Sequence, residues 1–126
     1  MAATGKVVWV SWVISILVCL VFLFSAFLKI KDGPEVLQGM EHLGMRPALL
    51  APLAVVEISC VVLYLIPATS VLGAILLTGY IGGAICTHLR VGDPFYVQAL
   101  LGILAWLALY LREDRLKALI PLRRAA

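Results

Sequence analysis

Four ionisable residues stand where the rest of their surroundings would suit hydrocarbon. Glu57 interrupts an apolar run from Pro47 to Ile66, Lys29 closes the run from Val7 to Leu28, and His88 with Arg90 ends the run that begins at Val71. A carboxylate, an amine and an imidazole together could exchange a proton or hold the polar head of a bound molecule, and an imidazole changes charge near neutral pH. Ionisable groups inside a membrane segment are costly, and by default they are functional candidates with a partner nearby. Counted from Leu49, Glu57 lies roughly 12 Å deep. Unpaired at that depth, its carboxylate would be protonated or expelled.

Helix geometry names the partner. Side chains lean toward the N-terminus of their own helix. Lys29, at the end of the first helix, therefore points back into the membrane. Glu57, on a second helix running the opposite way, leans up toward it, and His88 on a third helix leans inward as Lys29 does. Ser25 lies one turn below Lys29 on the same face, Tyr64 continues the Glu57 face, and Tyr80 joins from the third helix. Glu57, His88 and Lys29 are thus the candidate catalytic groups. Ser25, Tyr64, Tyr80, Thr87 and Arg90 are the candidate ligand contacts. His42 is expected to face water. The competing reading is a buried Lys29 to Glu57 ion pair that fixes helix register and does nothing more.

The elements that must position these groups follow from composition. The chain is 63% hydrophobic and 13% charged, whereas soluble domains carry about 45 to 50% apolar and about 25% charged residues. That excludes a water-soluble domain and leaves a membrane bundle or a barrel. The apolar runs are long and do not alternate, so helices win over barrel strands of about ten residues. The first run carries no charge and is too long for the apolar part of a signal peptide, so it reads as an uncleaved span. Spans are expected at about 7–30, 47–66, 70–89 and 95–111, in one domain over residues 1–126 with a basic tail at 112–126. The fold class is all-α, an integral membrane four-helix bundle. Cys19, Cys60 and Cys86 lie inside spans with no CxxC, so neither a disulfide framework nor a metal site is indicated.

Orientation follows from the basic residues. Lys6, Arg112, Arg115, Lys117, Arg123 and Arg124 place both termini in the cytoplasm. Between the first two spans, Pro34 suits a first helical residue and Gly44 the position just past a helix end, which predicts a short surface helix carrying Val36, Leu37, Met40 and Leu43 on one face. Pro52 falls one turn into the second span. Gly79, Gly83 and Thr87 recur every four residues and predict a small-residue face for close helix packing. Asp93-Pro94 reads as the N-cap and first turn of the fourth helix. Trp9, Trp12, Trp106 and Tyr110 read as a cytoplasmic aromatic belt. Leu116, Leu119 and Ile120 give the tail an amphipathic pattern for a membrane surface.

At these residues the sequence resembles DoxX-like integral membrane proteins. The resemblance is carried by Phe24-Ser25 with Lys29, by Glu57 with Leu65-Ile66-Pro67, by Gly73-Ala74 and Gly79-Tyr80-Ile81-Gly82-Gly83-Ala84, by Thr87-His88-Leu89-Arg90-Val91-Gly92-Asp93-Pro94, and by Trp106 to Arg112. Family members often have glycine where this chain has Ala26. The resemblance implies a four-helix membrane bundle, with some members tied to quinone-linked sulfur oxidation or redox-defence complexes and others to assembly of membrane proteins. No flavin, haem or metal signature accompanies the cluster. The leading expectation is a multi-pass protein of a bacterial inner membrane. It would bind a lipophilic molecule with a polar head, a quinone first among the candidates, as part of a redox complex. Lys29 and His88 would bond carbonyl oxygens, Glu57 would tune or exchange the proton, and Tyr64 and Tyr80 would flank the ring. The expected partners are the lipid bilayer, that small molecule, and other membrane or redox proteins or further copies of the chain, with no nucleic acid. The alternatives are a non-enzymatic scaffold or assembly factor and an acid–base enzyme on a terpenoid-like substrate.

Overall fold

Thr4 starts the first helix by accepting the Val7 N–H on its hydroxyl at 3.4 Å, a side-chain cap for an otherwise orphan donor. The computed structural model describes residues 4–125. Helix α1 runs Gly5–Lys31 and stops where Asp32 turns left-handed at φ 43°. Helix α2, Pro34–His42, has proline in its first turn and is followed by Gly44 at φ +70°. A tight turn at Pro47–Leu49 leads into α3, Leu50–Leu65, and another at Pro67–Thr69 leads into α4, Ser70–Arg90. Helix α5 is Tyr96–Arg112, and a four-residue α6 follows at Asp114–Lys117.

Helix α1 packs on α3 and α5, and α4 closes the ring by packing on the same two helices. Val18, Phe22, Val61, Leu77, Ile81 and Leu109 fill the centre. The outer faces carry Ile16, Leu17, Leu20, Val55, Leu72, Ile75, Leu100 and Ile103 in the open. So continuous an apolar exterior suits acyl chains and not water, and the protein is a membrane protein. Among the described residues three helical segments, Gly5–Lys31, Pro47–Leu65 and Pro67–Arg90, are long and apolar enough to cross a bilayer. Helix α5, with 17 residues, reaches about 25 Å against a hydrocarbon core of about 30 Å.

Several local expectations give way to the coordinates. Helix α3 begins at Leu50, directly after the turn at Pro47–Leu49, so Pro52 lies in its first turn, where proline is tolerated. Asp93 does not cap α5, whose cap is Phe95. The Asp93 N–H bonds back to the His88 carbonyl at 3.0 Å and Gly92 turns at φ +78°, so Asp93 still belongs to the end of α4. Its carboxylate meets His42, which is exposed as expected, with Nε2 to Oδ2 at 2.9 Å. Among the described residues of the tail Leu116 alone is buried; Leu119 and Ile120 are exposed, which does not contradict a face turned to a membrane surface.

Candidate functional site

The Lys29 ammonium meets the Glu57 carboxylate at 2.9 Å, Nζ to Oε2. It also donates to Ser25 Oγ, one turn earlier on α1. Glu57 is 1% exposed, and a charge removed from water that far must be paired and hydrogen-bonded to persist.

The pair does not lie between close-packed helices. It lines a cavity of about 520 Å³, together with Ser25 and Phe22 from α1 and Tyr80, Thr87 and His88 from α4. Helix α5 contributes Gln98, and α2 with the loop behind it lays Met40, Leu43 and Met45 across the cavity. Tyr80 is steadied by an edge-on contact with Phe22, ring centroids 6.4 Å apart. The Thr87 hydroxyl donates to the Gly83 carbonyl at 2.8 Å. His88 places Nδ1 2.8 Å from the Ala84 carbonyl one turn back, and its Nε2 lies 3.4 Å from Gln98 Nε2. A carbonyl only accepts, so Nδ1 carries the proton in the neutral ring.

The wall beside these groups is made by absence. Gly79 and Gly83 line the cavity, and a Cβ built on either would meet nothing within 4 Å. The predicted small-residue seam therefore opens space instead of drawing two helices together. The packing glycine of α4 is Gly73, where a Cβ would lie 2.7 Å from the Leu63 carbonyl carbon and nearer still to the Tyr64 backbone.

Of the residues expected at the site, Glu57, Lys29, His88, Ser25, Tyr80 and Thr87 share this cavity. Tyr64 and Arg90 do not join it. Tyr64 is fully buried, donates to the Ala105 carbonyl at 2.7 Å and shares a hydrogen bond of 3.0 Å with Ser15. Seven residues separate it from Glu57 on one helical face, so it sits about 10 Å further along the axis. Arg90 is exposed, and its guanidinium donates to the Leu43 carbonyl, tying α4 to the end of α2.

Two features escaped the sequence reading. Gln98 is the only amide within the four apolar runs, which is itself the signal of a polar group with a task in a membrane helix. Arg112 is not merely a tail charge. Its guanidinium lies 4.1 Å over the Trp12 ring and bonds Ser15 Oγ at 2.7 Å. Ser11 and Ser15, four apart on α1, are both fully buried and were the clue. Trp12 and Trp106 thus have specific duties, the latter donating to Thr78 Oγ1 at 2.7 Å.

Compared with known proteins, residues 13–111 match the profile of the DoxX-like family. No curated protein and no solved structure gives a significant match.

Proposed function

From the premise that the chain belongs to the DoxX-like family, we propose that it is a multi-pass protein of a bacterial inner membrane whose cavity binds a lipophilic small molecule by its polar head. One observation carries the reading: the Lys29 to Glu57 pair borders a void of about 520 Å³. A bridge serving only register would be enclosed by close-packed side chains, because interiors fill their space. The walls are mostly apolar, and the pair is neutral as a unit, which suits an uncharged amphiphile. Binding sites for small molecules generally combine such a lining with a few directed polar groups.

In this reading α5 is the fourth span, its shortfall met by local thinning of the bilayer. Both termini face the cytoplasm. Lys29 is taken up by Glu57 and Arg90 by a backbone carbonyl, so the outer loops keep Lys31 and Arg46 against the many basic residues near the termini, in line with the positive-inside rule. A quinone is the first ligand to test, with electrons exchanged through a partner membrane protein. The acid–base alternative draws support from the roof over the cavity and from the acceptor nitrogen of His88, since a base must face its substrate in a sheltered site.

The test is binding of short-chain quinone analogues to purified protein in nanodiscs. Saturable binding that is lost in Lys29→Ala and Glu57→Gln supports the reading. Absence of binding, or equal binding by wild type and both variants, defeats it.

A further inference from the structure

The hydrogen-bond inventory of the cavity limits the head group it can take. With Nδ1–H committed to the Ala84 carbonyl at 2.8 Å, the Nε2 of neutral His88 is an acceptor. Its protein neighbour, Gln98 Nε2 at 3.4 Å, stands beyond the usual range for a good N–H bond. Glu57, when ionised, only accepts. Lys29 directs two of its three N–H groups to Ser25 and Glu57. Thr87 directs its O–H to Gly83, leaving only lone pairs for a visitor. Ser25 and Tyr80 hydroxyls and the Gln98 amide can serve in either sense, so the groups with a fixed sense present acceptors plus one ammonium N–H.

Resting on the ligand-binding reading above, we infer that the cavity selects an amphiphile whose head carries a hydroxyl group, an alcohol, phenol or hydroquinone, over one whose head offers only carbonyl oxygens. A hydroxyl donates to His88 Nε2 and its oxygen can still accept the remaining Lys29 N–H. A dicarbonyl head sets lone pair against lone pair at His88 and leaves a sheltered acceptor unpaired. Such a mismatch weakens binding by about tenfold to about a hundredfold. For a ligand of the quinone class, the favoured form is the reduced one.

The experiment uses the full chain in nanodiscs and three probes with the same tail: decylhydroquinone kept reduced, decylbenzoquinone and decylphenol. The expected result is that the two hydroxyl-bearing probes bind at least about tenfold more tightly than the benzoquinone. In His88→Gln, which can turn an amide N–H toward the ligand, the preference should shrink to within about threefold. Nitrogen NMR of wild-type His88 gives a readout independent of that variant's folding, with Nδ1 protonated at rest and the Nε2 resonance moving with decylphenol but not with benzoquinone. Equal or tighter benzoquinone binding, a preference unchanged in His88→Gln, or a resting ring protonated at Nε2 alone overturns the inference while leaving a ligand site in place. No binding by any probe overturns both.

Discussion

Charge is buried at both ends of this bundle, and the two ends treat it differently. Around Arg112 the donors run in series: Arg112 donates to Ser15, Ser15 and Tyr64 share a bond, and Tyr64 donates to the Ala105 carbonyl. The chain of bonds ends on backbone and Trp12 covers the guanidinium, whose Nη2 is buried without a hydrogen-bond partner among the described residues. Around Glu57, among the described residues, only Lys29 and Ser25 bond directly into the pair, while Tyr80, His88 and Gln98 stand around a void. A polar network that runs bond to bond from one helix to the next joins them. In the ligand-binding reading proposed above, one that leaves an imidazole nitrogen with only a 3.4 Å neighbour has room for a head group from outside the chain. The same contrast divides the glycines of α4, with Gly73 against backbone and Gly83 against space.

Removing one charge from the open end should have the largest effect. Lys29→Ala leaves Glu57 buried without its cation and is expected to destabilise the fold by about 3 kcal/mol, at the low end for broken buried pairs because Lys29 borders the cavity. Adding Glu57→Gln should restore about half of that, since no charge is then stranded. Equilibrium unfolding in mixed micelles measures both, and a double variant no more stable than the single one would mean the carboxylate was never charged. Next in size is Gly73→Ala, at about 2 to 3 kcal/mol, because the added methyl can be accommodated only if α3 and α4 separate. Gly83→Ala should stay within about 0.5 kcal/mol yet alter ligand affinity. If the two alanines cost the same, the division of glycines between packing and cavity is wrong. Tyr64→Phe at the closed end removes a bond to Ala105 and a partner of Ser15, for about 1 to 2 kcal/mol. Ligand affinity should be untouched, as measured by titration of the same probe in both proteins.

How much of this was legible in the sequence depended on whether neighbours mattered. The helices follow from hydropathy and length alone, and the meeting of Lys29 with Glu57 from the lean of side chains on antiparallel helices. Sequence groups Tyr64 with Glu57 because a shared face says nothing about depth along the axis. Gly79 and Gly83 read as a packing seam because small residues every four positions describe both a contact and a gap, and only the surroundings distinguish them. Arg112 reads as a loop charge because orientation rules weigh residues by position in the chain and not by what lies over them. Gln98 has no evident partner in sequence, since His88 stands ten residues away across a turn.

The smallest expected effect concerns the roof, and it refines what the open end is for. Helix α2 is fastened near its end by His42 to Asp93 at 2.9 Å and by Arg90 to the Leu43 carbonyl, both on the segment that ends α4. His42 is 57% exposed in its side chain and Asp93 31%, so solvent screens the pair and His42→Ala should change stability by no more than about 0.5 kcal/mol. The roof residues Met40, Leu43 and Met45 sit just beside this fastening and line the cavity. If a ligand enters or leaves beneath them, loosening α2 raises the dissociation rate by about twofold to fivefold, with the equilibrium stability of the bundle unchanged. Stopped-flow displacement of a bound fluorescent amphiphile separates the two quantities. An unaltered rate would place the exit instead between α4 and α5, where Gly83 and Val97 border the cavity, and the substitution to make next would then be a bulky residue at Gly83.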